Sequence, residues 1–173
     1  MQRIVNNLYA ATDYDGVNVG AVVTQNGVIA IDAPSYPHDA RDWAMRLHNV
    51  SPYPTRSIIL TDAHGDRLLN TRWLNAPLIV HTETAVTINT YDKKYPHALI
   101  ESLSVRNPER GRDLHNSPVE RPSVSLDHDL TLHRGSSQIQ LIATHGPDIG
   151  TLWIYEPASQ TLFTGDSITI NRH

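Results

Sequence analysis

A short apolar strand, Ser57 to Leu60, runs directly into Thr61-Asp62-Ala63-His64-Gly65-Asp66-Arg67. This junction constrains the fold more than any other segment. The strand needs a dry core, whereas the residues just beyond it need water, counter-charge or an ion, so the strand must end at a rim. On extended backbone, residues two apart share a side, which would bring Asp62, His64 and Asp66 together. An imidazole flanked by carboxylates can hold a divalent metal, although a strong zinc centre normally uses more imidazoles or thiolates. The same residues with Arg67 can equally form a salt-bridged, metal-free turn.

A chain of 173 residues suits a single domain, 1–173, with a real core. It has no cysteine, which excludes disulfides and thiolate ligands. Met1 to Val5 lacks the apolar stretch of a signal peptide, and no run approaches the length of a membrane span, so a cytoplasmic location and no membrane partner are expected. A net charge of −4 gives nucleic acid little reason to bind over a broad surface. The basic stretch Arg106 to Arg121 also holds Glu109, Asp113 and Glu120, and reads as a solvated loop.

Asn18 to Thr24 and Val28 to Asp32 are β-rich runs joined through Asn26-Gly27, a pair that favours a primed hairpin turn. Ala40, Trp43, Ala44 and Leu47 then recur on one helical face. Leu68 to Leu74 suggests a short helix, Leu78 to His81 a buried strand, and Thr84 to Thr90 another short helix. Residues 96 to 122, with four prolines and several charges, read mostly as loop. Five strand patterns follow: Ser123–Leu126, Leu130–His133, Ile139–Ala143, Thr151–Tyr155 and Thr161–Thr164. Gln138 and Gln140 alternate with Ile139 and Leu141, as on a sheet with one wet face. A layered, mixed α/β chain is expected.

Several segments, taken in order, resemble the metallo-β-lactamase superfamily. Asn18-Val19-Gly20 with Gly27 to Asp32 resembles its opening hairpin, and Thr61 to Arg67 its Thr-His-x-His-x-Asp-His loop. Ala143 to Gly150 resembles its Pro-Gly-His-Thr-x-Gly loop, and Gly165-Asp166 its later Gly-Asp. The resemblance implies an αββα sandwich with metals at one edge of the sheets. It also implies the chemistry of a superfamily made mostly of hydrolases, acting on β-lactams, thioesters, other esters or phosphoesters.

Carried over residue by residue, the resemblance is incomplete. His64 matches a first-site ligand, and Asp66 matches the second-site aspartate that also orients the attacking water. Asp166 matches the carboxylate that commonly bridges both metals. Asp62 stands where a histidine is expected, Arg67 where many members have a ligand, and Pro147 where the third histidine should be. The chain stops at His173, seven residues after Asp166, where members continue to another histidine. A shortened member, or one whose later segments lie outside this chain, is therefore expected. His145 and His81 lie near the same rim and read as ordinary polar contacts, and His173 as a frayed end.

The resulting expectation is a degenerate metal centre with little or no hydrolase activity and no cofactor. The alternative is a mononuclear hydrolase of an ester, thioester or amide. It would hold one zinc, manganese or iron ion on Asp62, His64, Asp66 and Asp166, with Asp66 as the catalytic base, and would act on a small-molecule substrate only with metal bound. Arg67 is expected to pair with Asp66, Asp62 or both. Missing cover over the last strands would favour a homodimer.

Overall fold

The computed structural model of the chain describes residues 1–146 and 148–168. Pro147 and His173, each weighed above, lie outside the described residues. A seven-stranded sheet is laid down in sequence order: β1 (Gln2–Val5), β2 (Leu8–Ala11), β3 (Val19–Thr24), β4 (Gly27–Ile31), β5 (Thr55–Ile59), β6 (Leu78–His81) and β7 (Val124–Leu126). Strands β1 to β4 are antiparallel neighbours, and β4 to β7 are parallel. A second, antiparallel sheet has the order β11-β10-β9-β8, from β8 (Leu130–Arg134), β9 (Ser137–Thr144), β10 (Thr151–Glu156) and β11 (Thr161–Phe163).

Alternation along the strands divides the core in two. Ile29, Ile31, Ile59 and Ile79 of the first sheet meet Ile139, Leu141, Leu152 and Ile154 of the second. The opposite side chains, Val28, Ala30, Ile58, Leu78 and Val80, face the helices. These are α1 (Pro37–Val50), α2 (Gly65–Leu68), α3 (Thr82–Thr90), α4 (His97–Arg106) and α5 (Pro108–Gly111). Trp43 and Leu47 of α1, Ile88 of α3, and Leu99, Ile100 and Leu103 of α4 are buried in that layer. Among the described residues the order of layers is therefore helix, sheet, sheet, and no helix is long and apolar enough to cross a membrane.

Three local expectations are corrected. Residues 96 to 122 are largely helical: α4, α5 and a 3-10 turn at Arg112–Asn116 replace most of the loop. Burial of Leu99, Ile100, Leu103 and Leu114 supplies what a weak local pattern concealed. The basic residues there are engaged with the protein: Arg106 pairs with Asp66, Arg110 with Asp39, and Arg121 donates to the carbonyls of Ile88 and Tyr91. The β3–β4 hairpin turns where expected, but only Gly27 takes a positive φ (129°), so it is not a primed turn. The helix expected over Leu68 to Leu74 is split into α2, which starts earlier, and a 3-10 turn at Thr71–Leu74. Asn70, at φ 65°, breaks the run.

Candidate metal centre

The site forms where β4 and β5 end side by side. Asp32, just past β4, takes a left-handed φ of 59° and is buried. Its carboxylate accepts the Thr61 amide at 2.9 Å and the Thr61 hydroxyl at 2.8 Å, locking the two strand ends together. Burial pushes the Asp32 carboxyl up to about 6, against the opposing pull of the Arg67 charge. One residue on from Thr61, beyond the end of β5, Asp62 Oδ1 accepts the His64 amide at 2.9 Å. That contact bends the chain into α2, so the backbone is not extended through Asp66.

The bend separates what the sequence spacing would have put together. Asp62 and His64 stay on the rim, with His64 Nδ1 3.2 Å from Asp62 Oδ1. Asp66 rides on α2, and its Oδ2 accepts from Arg106 at 3.2 Å. Two distant loops complete the ring around His64. Asp148 Oδ2 lies 2.8 Å from Nε2, and Asp166 Oδ2 lies 3.0 Å from Nδ1. Asp166 reaches this point through Gly165, whose φ is 56°; a Cβ there would sit 2.5 Å from Thr61 Oγ1.

Arg67 sits beneath this ring and is almost fully buried. Its guanidinium contacts Thr61 Oγ1 at 2.6 Å, Asp62 Oδ2 at 2.9 Å, Asp166 Oδ2 at 3.0 Å and Asp32 Oδ2 at 3.5 Å, while Nε is 3.7 Å from Asp66 Oδ1. Burial opposes its charge, but Asp32, Asp62, Asp166 and Asp66 together outweigh this and hold it above its ordinary range. The expected pairing of Arg67 is thus a hydrogen-bonded contact with Asp62 and a longer approach to Asp66.

The residues present fit one cation better than two. Asp62, His64 and Asp148 each offer a ligand atom within 4.8 Å of the others, the one such group among the described residues. His64 Nδ1 and Asp66 Oδ1 are buried atoms without a well-formed hydrogen bond. Two ligands of a second site, Asp66 and Asp166, instead face the guanidinium groups of Arg67 and Arg106, which repel a metal. His145 is exposed and stands outside the ligand group, and His81 Nδ1 accepts the Glu83 amide at the start of α3.

Sequence reasoning missed Asp148, Asp32 and Arg106. Asp148 adjoins Pro147 in the very loop where a histidine was sought, so an acidic neighbour was a usable signal. Asp32 ends an apolar run much as Asp62 does. Arg106 carried no local mark. Beside the ring opens a cavity of about 580 Å³, bordered by Tyr14, Asp15, Asn18, Asp66, Arg106 and Asp166.

Comparison with known proteins agrees with this architecture. The profile of the metallo-beta-lactamase superfamily matches residues 12–173, and the chain belongs to that superfamily. No curated protein sequence matches it. Among solved structures it is similar to a metallo-beta-lactamase from Pontibacter korlensis, at 18% identity and TM-score 0.64, over 94% of this chain and 69% of that one. It is also similar to a metallo-beta-lactamase family protein from Thermus thermophilus, at 18% identity and TM-score 0.69, over 98% and 62% of the two chains. A sec-alkyl sulfatase shares the fold at 14% identity and TM-score 0.71, over 95% of this chain and 30% of its own. The chain thus spans between about one third and two thirds of the length of these proteins.

Proposed function

We propose that this chain is a metallo-β-lactamase-fold protein with a degenerate centre, binding at most one metal ion weakly and having little or no hydrolase activity. The observation that carries this reading is the buried Arg67 guanidinium within reach of Asp32, Asp62, Asp66 and Asp166. A permanent internal cation neutralises the carboxylates that a second metal would need. Asp62 has one oxygen on Arg67 and the other on the His64 amide, so it enters any coordination sphere already partly satisfied.

The second reading, a mononuclear hydrolase, draws support from the convergence of Asp62, His64 and Asp148 beside the 580 Å³ cavity. When bound there, a divalent ion would act as a Lewis acid and acidify water. In this reading Asp66 and Asp166 border the substrate space, and Asp66 is the base. Against that role, Asp66 Oδ2 accepts a hydrogen bond from Arg106 and Oδ1 lies 3.7 Å from the Arg67 guanidinium, two positive charges beside the group that would take the proton.

Hydrolysis assays separate the two readings. Purified protein is supplied with zinc, manganese or iron(II) and offered a β-lactam, a thioester, a carboxylic ester and a phosphodiester. Turnover indistinguishable from that of the His64→Ala variant supports the degenerate centre. Metal-dependent turnover that His64→Ala abolishes establishes the hydrolase.

A further inference from the structure

At the opposite end of the sandwich from the carboxylate ring lies a second concavity, of about 460 Å³, with a different chemistry. Gln25 and Asn26 of the β3–β4 turn, Tyr53 and Arg56 around the start of β5, and His133 and Arg134 at the end of β8 line it. Arg56 precedes Asp62 by six residues of nearly extended chain, roughly 20 Å. None of these lining residues is acidic, although the whole chain carries a charge of −4.

Two arginines from separate sheets are brought together here with most of their donors unused. The Arg56 Nε donates to the Asn26 carbonyl at 2.9 Å, which fixes the stem of the side chain. That stem lies over Gly27, where a Cβ would collide with Arg56 Cγ. Across the pocket, Gly135 takes a φ of 63°, and a Cβ there would lie 2.9 Å from Gln25 Oε1. The Arg134 Nε is buried without a hydrogen-bond partner, and its Nη1 reaches only the His133 carbonyl, at 3.4 Å. The terminal Nη groups of the two guanidinium forks are the donors that an anion in the pocket can engage.

We propose that this pocket binds a small organic anion through a phosphoryl group, with Arg56 and Arg134 as its principal contacts. Two guanidinium forks offer more donors than one carboxylate has electron pairs, whereas the terminal oxygens of a phosphate monoester can accept from both. The pocket is larger than inorganic phosphate needs, and the half-exposed Tyr53 offers a flat apolar surface to an organic body. The site shares no residue with the carboxylate ring, so it stands whether or not that ring holds a metal.

Isothermal titration of chelator-treated, dialysed protein at constant ionic strength tests the assignment, with adenosine 5′-monophosphate, inorganic phosphate, adenosine and citrate as probes. The nucleotide is expected to bind with a stoichiometry of one, phosphate more weakly, and adenosine not measurably. The double variant Arg56→Gln/Arg134→Gln is expected to lose at least tenfold in nucleotide affinity while melting at the wild-type temperature. Equal binding of adenosine and the nucleotide, stronger binding of citrate than of the nucleotide, or an unaffected double variant would overturn the proposal. Should the double variant not fold, amide shifts in the wild-type protein decide. Changes centred on Gln25, Asn26, Arg56 and Arg134 support the site, and changes centred elsewhere, or none, refute it.

Discussion

Asp32 shows how one residue's surroundings set both its chemistry and its cost. Its carboxyl is buried, and burial raises its pKa to about 6 even though Arg67 and two hydrogen bonds from Thr61 favour the charged form. A folded-state value above the unfolded one, near 4, means that the folded protein binds the proton more tightly. The stability this contributes is complete below about pH 4 and is lost as pH rises to about 6. Urea unfolding of wild type and Asp32→Asn across that interval measures it. The stability of wild type relative to the variant should fall as pH rises from 4 to 6 and then level off. A difference independent of pH would show that Asp32 titrates normally.

At the scale of elements, the strands were the legible part. Buried β4 appeared as a continuous apolar run, β5 through its buried apolar end at Ile58 and Ile59, and β9 as alternating Gln and Ile or Leu. The polar rim at Asp62 and His64 was legible for the same reason, because it follows directly from a strand end. α4 was not legible: no side chain caps its Pro96 start, and its buried positions, Leu99, Ile100 and Leu103, are spread through a charged, proline-flanked stretch. Its helical state is decided by packing onto Leu60, Leu68 and the rest of the helical layer, which no local window contains. Leu103→Ala should therefore destabilise the chain by about 2–5 kcal/mol. Denaturant unfolding tests this, and a loss below roughly 1 kcal/mol would mean that α4 packs independently of the core. Asp148 and Asp166 illustrate a different limit: residues brought together from separate loops have no sequence spacing to read.

For the whole molecule, the described helices cover one sheet and leave the outer face of the other without a helical layer. Ile142 pairs with Trp153, and Gln140 with Tyr155, on the side opposite the buried Ile139, Leu141, Leu152 and Ile154. The segment from Pro96 to Pro122, one alternative cover for this face, supplies Leu99, Leu103 and Leu114 to the helical layer instead. We therefore retain the proposal of a homodimer using the second sheet. Sedimentation equilibrium over a wide concentration range should show a monomer–dimer transition, and a monomer at every concentration would remove the basis for it. In the proposed function, the buried Arg67 guanidinium takes over the neutralising role of metal in this fold. Elemental analysis of the protein after zinc loading and exhaustive dialysis tests it most directly. Well under one zinc per wild-type chain should remain, and Arg67→Ala, with Asp62 and Asp166 released, should retain more. One or two zinc ions held stoichiometrically by the wild-type chain would contradict the account.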